Sequence, residues 1–361
     1  MNKYSCIFYN FKDDVDLNTT TPTNTTTPTN TNTNNKLKKY KHKFVSKDFF
    51  VENELFVSKK ISHMINYSKY FYIPSKVEKI NFVNIDNENV ENFETEYDIN
   101  LKYRKKIVSN NILLQYENIP TTQLNNYLSS DTKYFFYKII HIYIKLLKSI
   151  NILNQNNIFF NNLNNENIIV NQFDCPILTN FQYSITINSS TKENLHKFIL
   201  EYDPSYIQWP IEIHTMAFIF HNNLTSLSNG NIHDIVNELI HNNYIFDNFN
   251  DDIKQKYYND GIFFLTNFVN KKKDDILTIM LSYFKYWDNY ATSILYLQII
   301  IKIYKCIKNK KNKFISDFMK LLMKNISFDP NKRFSLQNTK IYFNHILNNI
   351  TKSEYKEIIN C

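Results

Sequence analysis

Residues 158–170 read IFFNNLNNENIIV. Five asparagines stand between two apolar runs, and what precedes and follows the stretch decides how it is read. Before it lies TKYFFYKIIHIYIKLLKSINIL, residues 132–153. There Phe136, Ile139, Ile140, Tyr143, Leu147, Ile150 and Leu153 recur at three- and four-residue spacing, which predicts one amphipathic helix. After it comes CPILTNFQYSITI, residues 175–187. Its short β-branched runs and proline boundary predict a pair of short strands. The stretch itself is then a polar loop between a long helix and short strands.

The chain around this segment has the composition of a folded protein. Of 361 residues 43% are apolar, with 29 Phe and 26 Tyr, enough for one large domain or two lobes with separate cores. Net charge is +8, from 42 basic and 34 acidic residues, and only Arg104 and Arg333 are arginines. Asparagine fills 56 positions and glycine two. With Lys, Ile, Tyr and Phe also frequent, this bias points to an A+T-rich genome, as in a large DNA virus or a low-GC protist. Cys6, Cys175, Cys306 and Cys361 are scattered, with no metal-binding spacing, which suits a reducing compartment. MNKYSCIFYNFKDD lacks the unbroken apolar core of a signal peptide. ATSILYLQIIIKIYKCI is interrupted by Gln298 and Lys302 and is too short for a bilayer. The expectation is an intracellular, cytoplasmic protein with no membrane partner.

Residues 1–17 read as an N-terminal strand region. Residues 18–35, NTTTPTNTTTPTNTNTNN, have no apolar anchor to offset their ordering entropy. With the basic run 36–43 they form a linker, 18–43. Residues 44–120 bear strands. A helix is expected over 48–66 with Phe50, Leu55, Ser58, Ile61 and Ile65 on one face, then short runs at 69–73 and 79–85, then a strand at 110–118 before a turn at Pro120. Residues 121–361 are mainly helical. Residues 211–286 read as mixed and mostly helical, 287–307 as a helix apolar on nearly every side, and 312–326 and 335–350 as two closing helices, the last capped by Ser335. The class is α+β, with a small β-rich N-terminal part and a larger, mainly helical C-terminal part.

This order of elements resembles the eukaryotic-type protein kinases. IFFNNLNNENIIV resembles the family's I-V-H-R-D-L-K-P-E-N-I-L: Leu163, Glu166, Asn167 and Ile168 match. Phe160 stands at the His, Asn161 at the Arg, Asn162 at the catalytic Asp and Asn164 at the Lys. PILTNFQYS resembles the strand and D-F-G segment, with Phe181 matching, Asn180 at the metal-binding Asp and Gln182 at the Gly. YIQWPIEIH is similar to the segment ending in A-P-E, with Glu212 at the Glu. WDNYATSILYL resembles the buried helix that opens on an Asp, here Asp288. SFDPNKRFSL resembles D-P-x-x-R, with Asp329, Pro330 and Arg333 matching. The resemblance covers roughly 48–350, with about 214–286 as an insertion. The whole resembles the divergent kinase-like proteins of large DNA viruses.

The resemblance implies a two-lobed kinase-like fold and a site without its usual chemistry. Asn162 is neutral and far less basic than the carboxylate it replaces, and loss of a general base costs about 10²–10⁴ in rate. Asn180 offers Mg²⁺ only a dipole. Asn167 remains as one neutral ligand, so no metal site is expected. Gly230 and Gly261 are the sole glycines, so no G-x-G-x-x-G is possible. A degenerate nucleotide pocket is implied at Leu113, Leu114, Gln115 and Tyr116, with Glu54 facing Lys43 or Lys41. Phe160 and Phe181 would stack, Asp288 would hold the loop backbone, and Glu212 would pair with Arg333. The implied function is a pseudokinase: a regulatory or scaffolding module without ATP or metal as cofactor, whose partner is a protein, an active kinase being one candidate. The alternatives are a weak Ser/Thr kinase using ATP, and a basic nucleic-acid-associated protein using the lysine runs at 36–43, 270–275 and 308–313. Solvated faces explain those runs equally well. His63, His141, His196, His214 and His345 read as surface or satisfied core residues.

Overall fold

The computed structural model describes residues 40–80, 111–130, 134–188, 191–199, 202–306 and 312–359. The N-terminal strand region 1–17, the low-complexity segment 18–35, the run 81–85 and the parts 36–39 and 308–311 of the basic runs lie outside these residues. The chain divides into two compact units: Met1–Ser68 with Tyr72–Pro120, and Lys69–Phe71 with Thr121–Cys361. The first is sheet-rich and the second helical, so the class is α+β.

Along the first unit run β1 (Tyr40–Ser46), α1 (Phe49–Ser62), the short β2 (Phe71–Tyr72) at the crossing between units, β3 (Lys76–Ile80) and β4 (Asn111–Glu117). β4 is the centre of a three-stranded antiparallel sheet, with Val45 opposite Ile112 and Val77 opposite Leu114. Asp48 caps α1 by accepting from the Val51 amide at 3.0 Å, satisfying one of the donors that every helix start leaves open. Val51 and Leu55 then pack on Val45, Ile112 and Leu114, with Val77 and Tyr116 at the margin.

Two expectations change here. The helix ends at Ser62, so Ile65 lies beyond it and is 88% exposed, while Val51, Glu54 and Val57 join the buried face. The helix is fixed by its cap at Asp48 and by the width of the sheet it covers, not by the period carried on to Ile65. Tyr40–Lys43, assigned to the linker and basic run, form the start of β1 because β4 is long enough to pair with them. Of the run 79–85, only Lys79 and Ile80 are described, as the end of β3.

The second unit opens with β5 (Thr121–Gln123), α2 (Leu124–Ser129) and α3 (Phe135–Gln155), followed by β6 (Ile158–Phe159), β7 (Ile168–Asn171), β8 (Pro176–Thr179) and β9 (Ile185–Thr186). The predicted stripe of α3 is buried except for Ile140, which is half-buried. Tyr143 on α3 meets Tyr296, Phe318 and Phe343 at ring distances of 4.6, 5.0 and 4.7 Å, an aromatic core of edge-on and tilted contacts. The two short strands expected in 175–187 appear as β8 and β9, which do not pair with each other. β8 pairs with β7, and β9 with β6, so the loop 158–170 is held from both sides.

Helices then follow: the short α4 (Thr191–Asn194), α5 (Ile211–His221), α6 (Asn229–Asn242), α7 (Asp251–Thr266), α8 (Lys273–Ser282), α9 (Phe284–Cys306), α10 (Lys313–Asn325), α11 (Leu336–Asn348) and α12 (Lys352–Ile359). The insertion boundary expected at 214 falls inside α5, where Ile213, Met216, Ala217 and Ile219 are core residues. The helix is continuous because its apolar residues face packed neighbours on nearly every side.

α9 buries Trp287, Ile294, Leu297 and Ile300 on all sides, and two of its buried polar side chains, Asn289 and Ser293, are bonded to neighbouring elements. Asn289 donates to the Phe334 carbonyl at 3.1 Å and to Thr339 at 2.9 Å, and Asn325 donates to Ser293 at 3.1 Å. These bonds tie α9 to α10 and α11 where a loose polar group would be costly. Ser335 caps α11 through the Asn338 amide, as its position predicts. No helix among the described residues is long and apolar enough to cross a membrane.

Candidate functional site

Asparagine does the work of glycine in this chain. Seven described non-glycine residues have positive φ: Asn66, Asn157, Asn161, Asp174, Asn180, Asn223 and Asn270. Asn and Asp tolerate the left-handed region better than other side chains bearing a Cβ, because they bond locally to the backbone. Asn157, Asn161 and Asn180 lie in or beside the 158–170 loop, at φ 54°, 58° and 68°. Each is a sharp turn of the backbone that positions the residues after it.

The loop follows directly from these turns. α3 ends at Gln155, Asn157 reverses the chain, and β6 carries it to Phe160. There the Phe160 amide donates to Asp288 Oδ2 at 3.0 Å, and the Phe160 carbonyl accepts from Ser184 Oγ at 3.1 Å. Asn161 donates to the Tyr183 carbonyl at 3.2 Å. Asn164 caps the turn 165–167 by accepting from the amides of Glu166 and Asn167 at 2.9 and 3.1 Å. Below the loop, Phe160 and Phe181 are fully buried and meet edge-on at 5.1 Å, and Phe71 meets Phe181 at 5.9 Å.

Three asparagines singled out from the sequence come together above that aromatic column. Asn180 Nδ2 donates to Asn167 Oδ1 at 3.1 Å. Asn167 Nδ2 donates to the Asn162 carbonyl at 2.9 Å. Asn162 Oδ1 accepts from Asn164 Nδ2 and from the Tyr206 hydroxyl, both at 3.1 Å. Burial pushes Tyr206 up to about 12, so it stays protonated and donates. Tyr206 carried no signal in the sequence; its partner lies 44 positions away.

The chemistry open to this network is limited. An amide oxygen has two lone pairs. Those of Asn162 are both engaged, so the oxygen has no capacity left to take a proton. The Asn180 Oδ1 is buried without a partner. It is one neutral oxygen, and the neighbouring Asn167 oxygen, also neutral, already accepts from the Asn180 amide. Mg²⁺ requires near-octahedral oxygen ligands with anionic members, and this donor set does not fit it. Among the described residues no group of three or more His, Cys, Asp or Glu gathers. Asp174, a carboxylate near this loop in sequence, sits in the β7–β8 turn at φ 55°.

Three buried ionisable side chains hold the frame around the loop: Asp288, Glu212 and Arg333. Asp288 is fully buried and its carboxyl is pushed up to about 7 by burial, with the backbone N–H groups of Phe160 and Asn161 pulling partly against that. Glu212 and Arg333 form a two-pronged ion pair, Nη1–Oε1 and Nη2–Oε2 both at 2.8 Å. Trp287 Nε1 donates to Glu212 at 3.1 Å, Arg333 Nε donates to the Ser327 carbonyl at 2.7 Å, and the guanidinium lies 5.1 Å from the Tyr290 ring. Each guanidinium nitrogen and both carboxylate oxygens of the pair therefore have a partner.

His214, expected to be a surface or satisfied core residue, lies in the core. It is fully buried with no hydrogen-bond partner at either ring nitrogen, among the rings of Tyr202 and Trp209. Burial lowers it to about 4; the backbone of Tyr206 and Trp209 and the carboxylate of Asp203 pull only partly back.

The residues assigned to a nucleotide pocket lie in the first unit. Leu113 and Leu114 are buried in its sheet. The Gln115 carbonyl accepts from the Ser75 amide and hydroxyl at 2.9 and 3.1 Å, and Tyr116 stacks on Tyr72 at 5.0 Å. Glu54 is 1% exposed and neither carboxylate oxygen has a hydrogen-bond partner, while Lys43 and Lys41 are exposed on β1. The Lys–Glu pair is thus not formed: Glu54 sits on the buried face of α1, and the lysines extend from an exposed strand. Comparison with protein-family models and with curated proteins finds no match for this chain.

Proposed function

We propose that this chain is a protein-kinase-like pseudokinase, a two-lobed protein that keeps the frame of a phosphoryl-transfer site and uses it as a regulatory or scaffolding module for a protein partner. The observation that carries this reading is the amide network Asn162–Asn167–Asn180, set where the resemblance puts two carboxylates and one asparagine. Phosphoryl transfer needs a carboxylate to accept the hydroxyl proton and another to hold the metal against the phosphates. Here both positions are neutral and bonded to their neighbours. The supports that the resemblance assigns to the frame are present: Asp288 on the loop backbone, Phe160 against Phe181, and Glu212 with Arg333.

The test is a thermal-unfolding shift with ATP, with and without Mg²⁺, on the natural chain and on Asn162→Asp/Asn180→Asp. The natural chain gives no metal-dependent shift. A metal-dependent shift confined to the double variant would tie these positions to the family's carboxylates. A large Mg²⁺-dependent shift in the natural chain, followed by phosphate incorporation, would replace this reading with a weak Ser/Thr kinase.

A further inference from the structure

Away from the asparagine loop, the second unit contains a cavity of about 940 Å³ between α7, α9 and α10. Five lysines line it: Lys256, Lys305, Lys320, Lys324 and Lys332, against one carboxylate, Asp260. Between the lysines the lining is apolar and soft, with Tyr257, Ile301, Met319 and Met323. Thioether side chains repack around different shapes, and methionine-lined grooves favour peptide ligands. Lys332 is paired with Asp260 at 2.7 Å and Lys320 with Asp317 at 3.0 Å. Lys256 and Lys324 make no ion pair among the described residues, so positive charge at this opening is not neutralised from within.

We infer that this cavity is a docking site for an acidic peptide segment of a partner protein, one that carries apolar side chains between its carboxylates. The distribution of charge selects this occupant. The ammonium groups come from four elements: α7, α9, α10 and the turn at 330–332. A single phosphate head would need donors converging on one point, and arginine forks serve that purpose better. Carboxylates spaced along an extended or helical segment match dispersed lysines, and its apolar residues fill the methionine-lined floor. The inference goes beyond the kinase-like reading and does not depend on it.

The experiment is fluorescence anisotropy of the full chain with a labelled Glu-rich peptide bearing one leucine and one phenylalanine. The natural chain binds it, and the same peptide with alanine at both apolar positions binds roughly tenfold more weakly. Lys256→Glu/Lys324→Glu weakens binding by about tenfold or more. Lys271→Glu/Lys272→Glu, the same change of charge on a distant exposed run, leaves it unaltered. Thermal melts establish folding of both variants, and the alanine-peptide comparison uses the unaltered chain alone. Equal binding of the alanine peptide would overturn the inference, as would equal loss in the control variant. So would a single-stranded oligonucleotide that displaces the peptide and binds more tightly through the same lysines.

Discussion

Arg333→Met leaves Glu212 as a buried carboxylate with only the Trp287 indole to answer it. The magnitude follows from the geometry. Opposite charges about 4 Å apart attract by roughly 4 kcal/mol at an effective dielectric of ~20. Breaking one side of a buried pair costs about 3–5 kcal/mol in comparable proteins. Both side chains are at most 1% exposed, so solvent screens little of this. The expected loss for Arg333→Met is therefore about 4 kcal/mol. Both tryptophans, Trp209 and Trp287, lie in the second unit. Tryptophan fluorescence in urea thus reads the unit that holds the pair, and the midpoint should fall by roughly 1.5–2 M. Glu212→Leu/Arg333→Met should recover most of the loss, because an apolar pair of similar volume is often neutral or better. The coupling in this double-mutant cycle is then about 2–4 kcal/mol. If each single variant costs under about 1 kcal/mol, or the two simply add, the pair is solvated and the reasoning fails.

Two predictions concern pH and have opposite signs. Asp288 is held up at about 7 in the folded chain. Its contribution is present below the unfolded carboxylate range near ~3.9 and is lost as pH rises through about 7. The stability of the natural chain relative to Asp288→Asn should fall across that window by up to about 1.4 kcal/mol per pH unit; parallel curves would reject this. His214 is held down at about 4. Its contribution is present above the unfolded imidazole range near ~6.5 and is lost as pH falls through about 4, so His214→Phe should flatten the acid limb of unfolding. Gly261→Ala, despite alanine's better helix propensity, should destabilise by about 1–3 kcal/mol. A Cβ there meets Phe328 at 2.9 Å and Val236 at 3.0 Å, and chemical denaturation measures the cost.

Local signals survived into the structure where one residue's neighbours in sequence are also its neighbours in space. The stripe from Phe136 to Leu153 needs only the helical period, and Ser335 needs only the amide three residues on. The strand expected over 110–118 appears as β4, because β-branched and apolar residues bounded by a turn suit a pleated strand. The same logic failed where partners are distant. Pro176–Thr179 and Ile185–Thr186 were each legible as strands, yet nothing local tells β8 to pair with β7 or β9 with β6. The abundance of asparagine hid its own information. Composition made each one cheap, and only backbone geometry separates Asn157, Asn161 and Asn180, which turn the chain, from those on solvated faces.

By itself the sequence determined an α+β chain with a sheet-rich start and a helical remainder. It also brought Asn162, Asn167, Asn180, Glu212, Asp288 and Arg333 to notice. The class follows from periodicity and turn chemistry, and the six residues from the resemblance of their short motifs to those of the protein kinases, all of which are local. Only the tertiary structure decided that three of those asparagines bond to one another, that Tyr206 takes the remaining lone pair of Asn162, and that Glu54 and His214 are buried without partners. It alone gathered five lysines from four elements around one cavity. Hydrogen bonding and desolvation depend on what is within a few ångströms in space, and a linear chain does not state that distance.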